Sequence, residues 1–424
     1  MGVHMPLQAS WDSIDRRGFL GAASTLLVAA ATPRVQRVWS AERVEPPRIA
    51  AILTEYRSLA HADVILGRML QGYILSTTET YSPRTHVVSM YVDQFPAGDL
   101  SRSMASQYGL SIKPSIDEAL TLDTGQLAVD GVLIIGEHGD YPDNSKGQKM
   151  YPRRRFFEET VKTFQATSSS VPVFNDKHLG FAWEDAKWMY DQSRHMKFPL
   201  MAGSSLPTAW RKPDVELPLG VELDSALAIG YSGIESYGFH TLELLQCMVE
   251  RRRGGESGVR AVTCLEGVDV WKAATDGKWS RELLDAAAAC IGGDPTEPPE
   301  RRCKIPVAFL IENTDGFHSV ALLLDGFTTQ FAFACRLTGN TVPVATNFWL
   351  QEPGYGHFSY LVHNIESMYL TRKEVYPSER TLLTTGILDA VMTSRFEGHR
   401  RIETPWLANV AYQVTGSTGR RAKF

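Results

Sequence analysis

From Arg48 onward the chain alternates short apolar runs with stretches of helical periodicity, and this alternation constrains the fold more than any other feature. "RIAAILTEY" is an apolar, β-branched run that stops at polar residues, as a buried parallel strand does. "HADVILGRMLQGY" follows with helical spacing of Val64, Ile65, Leu66, Met69 and Leu70. The pattern then repeats: strand "THVVSMYVD", helix "LSRSMASQYGL" closing at Gly109, and helix "SIDEAL" with Ser115 as N-cap and Glu118 three residues on. Strand "VDGVLIIGEHGDY", helix "RRRFFEETVKTFQ", strand "VPVFND", helix "WEDAKWMYDQSRHM" and strand "FPLMAGS" complete the series. Such alternation predicts a parallel sheet with helices on both faces, whose ligands sit beyond the carboxyl ends of the strands. Polar clusters fall at four of those ends: Thr54-Glu55, Asp93-Gln94, Glu137-His138 and Asn175-Asp176-Lys177-His178.

The second half changes character. A Pro-punctuated crossover, "RKPDVELPLG", leads to "VELDSALAIGYSG", the helix "YGFHTLELLQCMVERRRGG" and "VRAVTCLEG". "KIPVAFLIENTDGFHSVALLLDG" and "TQFAFACRL" read as antiparallel strands, the first pair turning at Asp315-Gly316. Helices at "FSYLVHNIESMYL" and "SERTLLTTGILDAVMTSRFEG" follow. The expected organisation is a leader over 1–41, a Rossmann-type domain over 46–205, an α+β domain with an open, largely antiparallel sheet over 206–375, and a closing helix with a tail over 376–424. An open sheet face of this kind often packs on another subunit, so a homo-oligomer is expected.

The net charge of −5 and pI near 6.1 speak against a nucleic-acid partner, which needs a clustered cationic face. Arg153-Arg154-Arg155 and Arg251-Arg252-Arg253 read as solvated helix faces. At the N-terminus, Arg16-Arg17 precede an apolar run from Gly18 to Ala31. As a helix that run rises only about 21 Å, too short to span a bilayer comfortably. The pattern resembles a twin-arginine secretion signal, with Asp15 where Ser or Thr is usual and cleavage after Ala31 or near Ser40. It predicts a protein that is periplasmic or otherwise exported and that meets the twin-arginine translocase. Five cysteines show no metal-binding spacing; Cys290 and Cys303 can bridge a loop, but unpaired buried thiols are the expectation for so large a domain.

Three segments resemble the glucose-fructose oxidoreductase / inositol dehydrogenase / MocA family, in an order that covers about residues 48–403. "FNDKHLGFAWEDAKWMYDQS" stands where that family has Glu-Lys-Pro before a helix, and Asp176-Lys177-His178 keeps only the lysine. "SYGFHTLE" resembles the family's Asp-x-Gly-x-His-x-x-Asp: Gly238 and His240 match, Ser236 takes the first acid's place and Glu243 the last. "YPSERTLLTTGILDAVMTSRFEG" resembles the closing helix that packs back on the first domain. The resemblance implies an oxidoreductase acting on a carbohydrate or polyol with NAD(P). Lys177 and His240 are then binding or acid/base groups at a hydroxyl becoming a ketone. Thr54, Asp93, Glu137 and His138 become the cofactor-binding candidates, and His178, Glu235 and Tyr237 the substrate contacts.

The first βα turn departs from that pattern. A dinucleotide fold needs glycines there so that the backbone can approach the pyrophosphate at the helix N-terminus. Counted back from His61, the three positions fall near Leu53, Glu55 and Ser58, and "ILTEYRSLAHA" holds no glycine. Either no dinucleotide binds or it binds in a shifted pose. The loop "GEHGDYPDNSKGQKMYPRRRFF" is also long where the family has a short Thr-Pro-x-x-x-His turn. Its Glu137, His138 and Asp140, with His178, can hold a divalent metal or form a hydrogen-bonded network. A hydrogen-bonded network without a metal is the expectation. His318 and His357 read as surface or core residues, and Trp183, Trp188 and Trp210 as packing. Beside the oxidoreductase reading stand a non-redox lyase, isomerase or hydrolase, metal-dependent or cofactor-free, and a sugar-binding protein without catalysis. The missing glycines favour the latter two; Lys177 and His240 favour the enzymes.

Overall fold

The structure is a computed structural model that describes residues 45–76, 79–292, 297–350 and 355–416; the expected leader lies outside them. The first half runs β1 (Arg48–Leu53), α1 (His61–Gln71), β2 (Tyr73–Ser76), β3 (Glu79–Tyr81), β4 (His86–Val92), α2 (Ser101–Tyr108), β5 (Ser111–Lys113), α3 (Ile116–Thr121), β6 (Gly131–Ile135), α4 (Arg153–Ala166), β7 (Val173–Asp176), α5 (Trp183–Met196) and β8 (Leu200–Gly203). The second half runs β9 (Trp210–Lys212), β10 (Leu223–Gly230), α6 (Ser236–Val249), β11 (Val259–Glu266), α7 (Val268–Thr275), α8 (Arg281–Ile291) and α9 (Pro299–Arg302). It continues through β12 (Val307–Asn313), β13 (His318–Leu323), β14 (Phe331–Leu337), β15 (Val344–Trp349), α10 (Phe358–Thr371), α11 (Ser378–Phe396) and β16 (Ile402–Glu403).

Six strands pair in parallel in the order β5-β4-β1-β6-β7-β8. This is the doubly wound Rossmann order, which reverses between β1 and β6 and opens a crevice there. β1 and β6 are buried along nearly their whole length, as their apolar, β-branched sequences predict. Local signals held where the chemistry was local. Ser115 accepts a hydrogen bond from the Glu118 N–H at 3.1 Å, and Gly109 ends α2 in the left-handed region.

The second sheet is mixed and mostly antiparallel, in the order β16-β11-β12-β13-β10-β14-β15-β9, with β10 and β13 its parallel pair. β12 and β13 form the expected hairpin, with Gly316 at φ 85° in its turn. One apolar core lies between the first sheet and α6, α11 and the second sheet; another packs α1 and α10 on the first sheet's opposite face. α7 and α8 cover the remaining face of the second sheet through Val270, Leu283, Leu284 and Ala287. α11 packs against α5 and β8 as well as α6 and β11, so it joins the two sheets rather than leaning on the first alone. Gly203 makes this approach feasible: at φ 119°, a Cβ there would meet Glu243 Oε2 at 2.5 Å and Thr381 Oγ1 at 2.7 Å.

Two expectations are corrected. Arg153 is fully buried and Arg251 and Arg252 nearly so; only Arg253 of that second run lies in solvent. Arg153 pairs with Glu137, and Arg252 with Glu256 at 3.0 Å and Asp315 at 2.9 Å. A buried guanidinium needs such partners; Glu256 is four residues on from Arg252, but Glu137 and Asp315 come from other segments, which helical periodicity cannot show. The cysteines, by contrast, are as expected: all five are free, and all but the half-buried Cys290 are buried. Among the described residues no helix is long and apolar enough to cross a membrane.

Candidate functional site

Where the strand order reverses, a cavity of about 420 Å³ opens beyond β1, β6 and β7. Its floor carries His61 from the start of α1, Glu137 and His138 from the end of β6, and Lys177 from the end of β7. α6 contributes Ser236, Tyr237 and His240, and Tyr231 and Phe331 complete an aromatic wall. The rings of Tyr237 and Phe331 are parallel within 7° at 6.2 Å, and Tyr231 leans on Tyr237 at 4.8 Å. His357 and Phe358, at the start of α10, close one side.

Lys177 Nζ lies 3.0 Å from His240 Nε2, 3.2 Å from the Ser236 carbonyl and 3.4 Å from Glu137 Oε1. Three acceptors match the three protons of an ammonium group. With Lys177 donating to Nε2, the His240 proton sits on Nδ1 and is given to Ser204 Oγ at 2.6 Å. Burial first, and the Lys177 charge second, hold the His240 imidazole well below its usual range, so it is neutral. Lys177 (φ 65°) and His138 (φ 70°) both occupy the left-handed region, unusual for residues with a Cβ. Two such residues at neighbouring strand ends mark a functional crevice.

His61 Nδ1 is 2.6 Å from Asp176 Oδ2, and Asp176 is buried. Burial raises the Glu137 carboxyl, but Lys177, Arg153, His61 and His138 together hold it well below the carboxylate range. The His138 imidazole is lowered to about 4, by burial first, with Glu137 opposing. His178 is also lowered to about 4, by burial and then by Arg153, whose NH1 stands 3.1 Å from its Nε2. Glu235 accepts the Lys149 N–H at 2.8 Å and lies 3.7 Å from His178.

A nicotinamide dinucleotide does not fit these residues in its usual pose. The β1–α1 turn contains no glycine, and the Glu55 carboxylate is buried within it against Arg57. Asp63, in the first turn of α1, accepts the Leu59 N–H at 2.9 Å, placing a second carboxylate at the helix end where a diphosphate would bind. Tyr56, in the same turn, is fully buried in the apolar core on the α1 side of the sheet. Asp93, the expected ribose ligand, is already engaged: Oδ1 takes Tyr91 and Arg155 at 2.6 Å each, and Oδ2 takes Tyr141 at 2.6 Å. Tyr141 belongs to the long loop after β6, which is also tied to Gln94 through Asp140.

Of the residues singled out from sequence, the cavity gathers Glu137, His138, Lys177, Tyr237 and His240. Thr54 does not face it: the hydroxyl donates to the Glu137 carbonyl at 2.6 Å and stitches the ends of β1 and β6 together. Asp93, His178 and Glu235 lie outside the lining, the last two as supports behind it. Asp140 is exposed and does not join the polar cluster. His61 and His357 were missed as site residues, although the first helical residue after the first strand of a doubly wound sheet faces the crevice by construction.

No family model and no curated protein matches the chain. Among solved structures, it resembles GenD2 from gentamicin A biosynthesis in complex with NAD, with a TM-score of 0.53 and 14% identity over 88% of this chain and 99% of that one. A structure from Sinorhizobium meliloti carrying the name myo-inositol dehydrogenase gives 0.50 and 14% over 84% and 99%. The apo scyllo-inositol dehydrogenase of Lactobacillus casei gives 0.51 and 10% over 85% and 98%. Sheet order and site together define an α/β protein with a Rossmann-type sheet joined to a mixed, mostly antiparallel sheet. The particular fold is the two-domain fold of the glucose-fructose oxidoreductase / inositol dehydrogenase / MocA type, shared with the structures just named.

Proposed function

We propose that this chain is an enzyme acting on a polyhydroxylated small molecule, a carbohydrate or polyol, by moving a proton at a hydroxyl or carbonyl oxygen. The observation that carries the reading is the Lys177–His240 pair, 3.0 Å apart on the wall of a cavity faced by Tyr231, Tyr237 and Phe331. The cavity volume lies in the range of small-molecule sites. Aromatic faces suit the C–H face of a sugar ring, while ammonium and imidazole suit its oxygens. A substrate oxygen entering between them accepts a proton of Lys177, which stabilises developing negative charge. The displaced His240 Nε2 then offers its lone pair as a base, its ring held by Ser204.

Within that class, Glu55, Asp63 and the engaged Asp93 favour an isomerase, epimerase or lyase over a dehydrogenase. An oxidoreductase of the kind named for its fold relatives is the second reading, favoured by the shared fold and the retained lysine–histidine pair. Incubating the protein with ketoses and inosose-type ketones in deuterated water tests the first reading. Exchange of the proton next to the carbonyl, lost in Lys177→Met, supports it; no exchange with any of them counts against it. We also propose export by the twin-arginine route, on the strength of Arg16-Arg17 and the run behind them.

A further inference from the structure

We propose that His61, Glu137 and His138 form a binding site for one divalent transition-metal ion of the zinc class. One ligand atom from each of the three lies within 4.8 Å of the others, close enough for small side-chain rotations to bring all three onto one ion. Two imidazoles and a carboxylate are the donor set that such ions prefer, and three protein ligands leave positions open for water or substrate.

Asp176 supplies the second, independent observation. Its buried carboxylate accepts the His61 Nδ1 proton at 2.6 Å, which fixes the ring and leaves Nε2 as the free donor toward the cavity. A carboxylate behind an imidazole is the arrangement that orients metal-binding histidines and strengthens them as donors. The left-handed backbone of His138 (φ 70°) turns its ring into the cavity beside His61, with centroids 5.5 Å apart. Thr54 clamps the Glu137 carbonyl and Arg153 holds Glu137 Oε2, so Oε1, which Lys177 Nζ faces at 3.4 Å, is the oxygen on the cavity side that would turn to an ion.

Charge narrows the class of ligand that would join the ion. Glu137 and Asp176 balance Lys177 and Arg153, so a divalent ion leaves the site with two positive charges in excess. An anionic oxygen would offset that excess: hydroxide in the resting site, or the enolate or carboxylate of a substrate. The ion site stands whether or not the proposed proton transfer at Lys177 and His240 is right, because the test reads binding rather than turnover.

The test is titration of tag-free, chelator-treated full-length protein with cobalt(II), followed by visible d–d absorption, with zinc(II) as competitor and elemental analysis of protein purified without chelator. One cobalt per chain, displaced by zinc, is expected. His61→Ala and His138→Ala should each remove the bands. Asp176→Asn should keep them while weakening affinity about 10–100-fold, the scale of losing an orienting partner. His138→Gln serves if the alanine variant does not fold by circular dichroism. An exposed histidine, His195→Gln, should change nothing. Absence of a stoichiometric ion, or binding untouched by both the His61 and the His138 variants, would overturn the proposal.

Discussion

Lys177 and His240 are 63 residues apart in sequence and 3.0 Å apart in space, and the lysine donates to the imidazole rather than the reverse. That direction fixes the tautomer of His240, keeps its ring neutral and sets the Ser204 hydroxyl as its anchor on the far side. A strand-end lysine would ordinarily reach solvent and contribute little to the fold. This one is buried among three acceptors.

Removing the charge should therefore be felt first by its neighbour. In Lys177→Met the His240 pKa is expected to move up, since Lys177 is the largest cause after burial of its depression. Histidine NMR titration of the variant and the parent measures it. An unchanged His240 would mean that burial alone sets its state.

For the dinucleotide, the expected outcome is no binding. Calorimetric titration with NAD, NADH, NADP and NADPH should give no heat at concentrations where a micromolar complex, about −8 kcal/mol, would be plain. If one does bind, Glu55→Gly should tighten it by removing charge and bulk from the turn. Binding indifferent to that change would place the diphosphate elsewhere.

Acid should destabilise the fold earlier than carboxylate titration would suggest. His178 and His357 are held at about 4 and about 3, by burial first and then by the charges of Arg153 and Arg68. Unfolded histidines titrate near 6.5. As pH falls from there towards 4, the unfolded chain takes up protons that the folded chain refuses, so stability falls with pH across that window. Each buried histidine adds a slope of up to about 1.4 kcal/mol per pH unit. His357→Gln should flatten the pH dependence of urea unfolding by about one such increment; the same slope in both proteins would show that His357 is protonated when folded.

Arg380 on α11 and Glu250 after α6 are both almost fully buried, with Nε to Oε2 at 2.9 Å and Tyr412 donating to the same carboxylate at 2.8 Å. Arg380→Met leaves that carboxylate without its cation and should cost about 3–5 kcal/mol in urea unfolding. The double change with Glu250→Gln should recover much of the loss. A single-variant effect below about 1 kcal/mol would show that water already reaches the pair.

Replacing Arg16 and Arg17 by lysine should leave the protein in the cytoplasm, as cell fractionation would show. Unchanged secretion of the double variant would remove the twin-arginine reading.

The alternation of strands and helices was legible because each element carries its own period, and the strand ends fell out of it. Glu137, His138 and Lys177 were found this way; His240 came through the resemblance of "SYGFHTLE". Arg153 was misread for a physical reason. Its triplet looks like a wet helix face, yet it lies at the first turn of α4, directly under the β6 end that carries Glu137. Nothing within a helical turn of it announces that partner. α7 and α8 were missed because their short amphipathic stretches, "VDVWKAAT" and "RELLDAAAACI", lie between strands of one sheet. His61 had a signal, its place straight after the first turn, but its significance depends on Asp176, 115 residues away.

The loop after β6 has a consequence for how a ligand meets the cavity. Tyr141 anchors it to Asp93, Lys149 to Glu235 through its N–H, and Lys146 and Gln148 to the Asp389 side of α11. What would be a mobile flap is thus bound down to the end of β4, the start of α6 and α11 before any ligand arrives. Little conformational entropy remains to be lost on binding, so a small, polar ligand can be held by few contacts. Selection among ligands then rests on the fixed shape of the cavity rather than on closure around the right one.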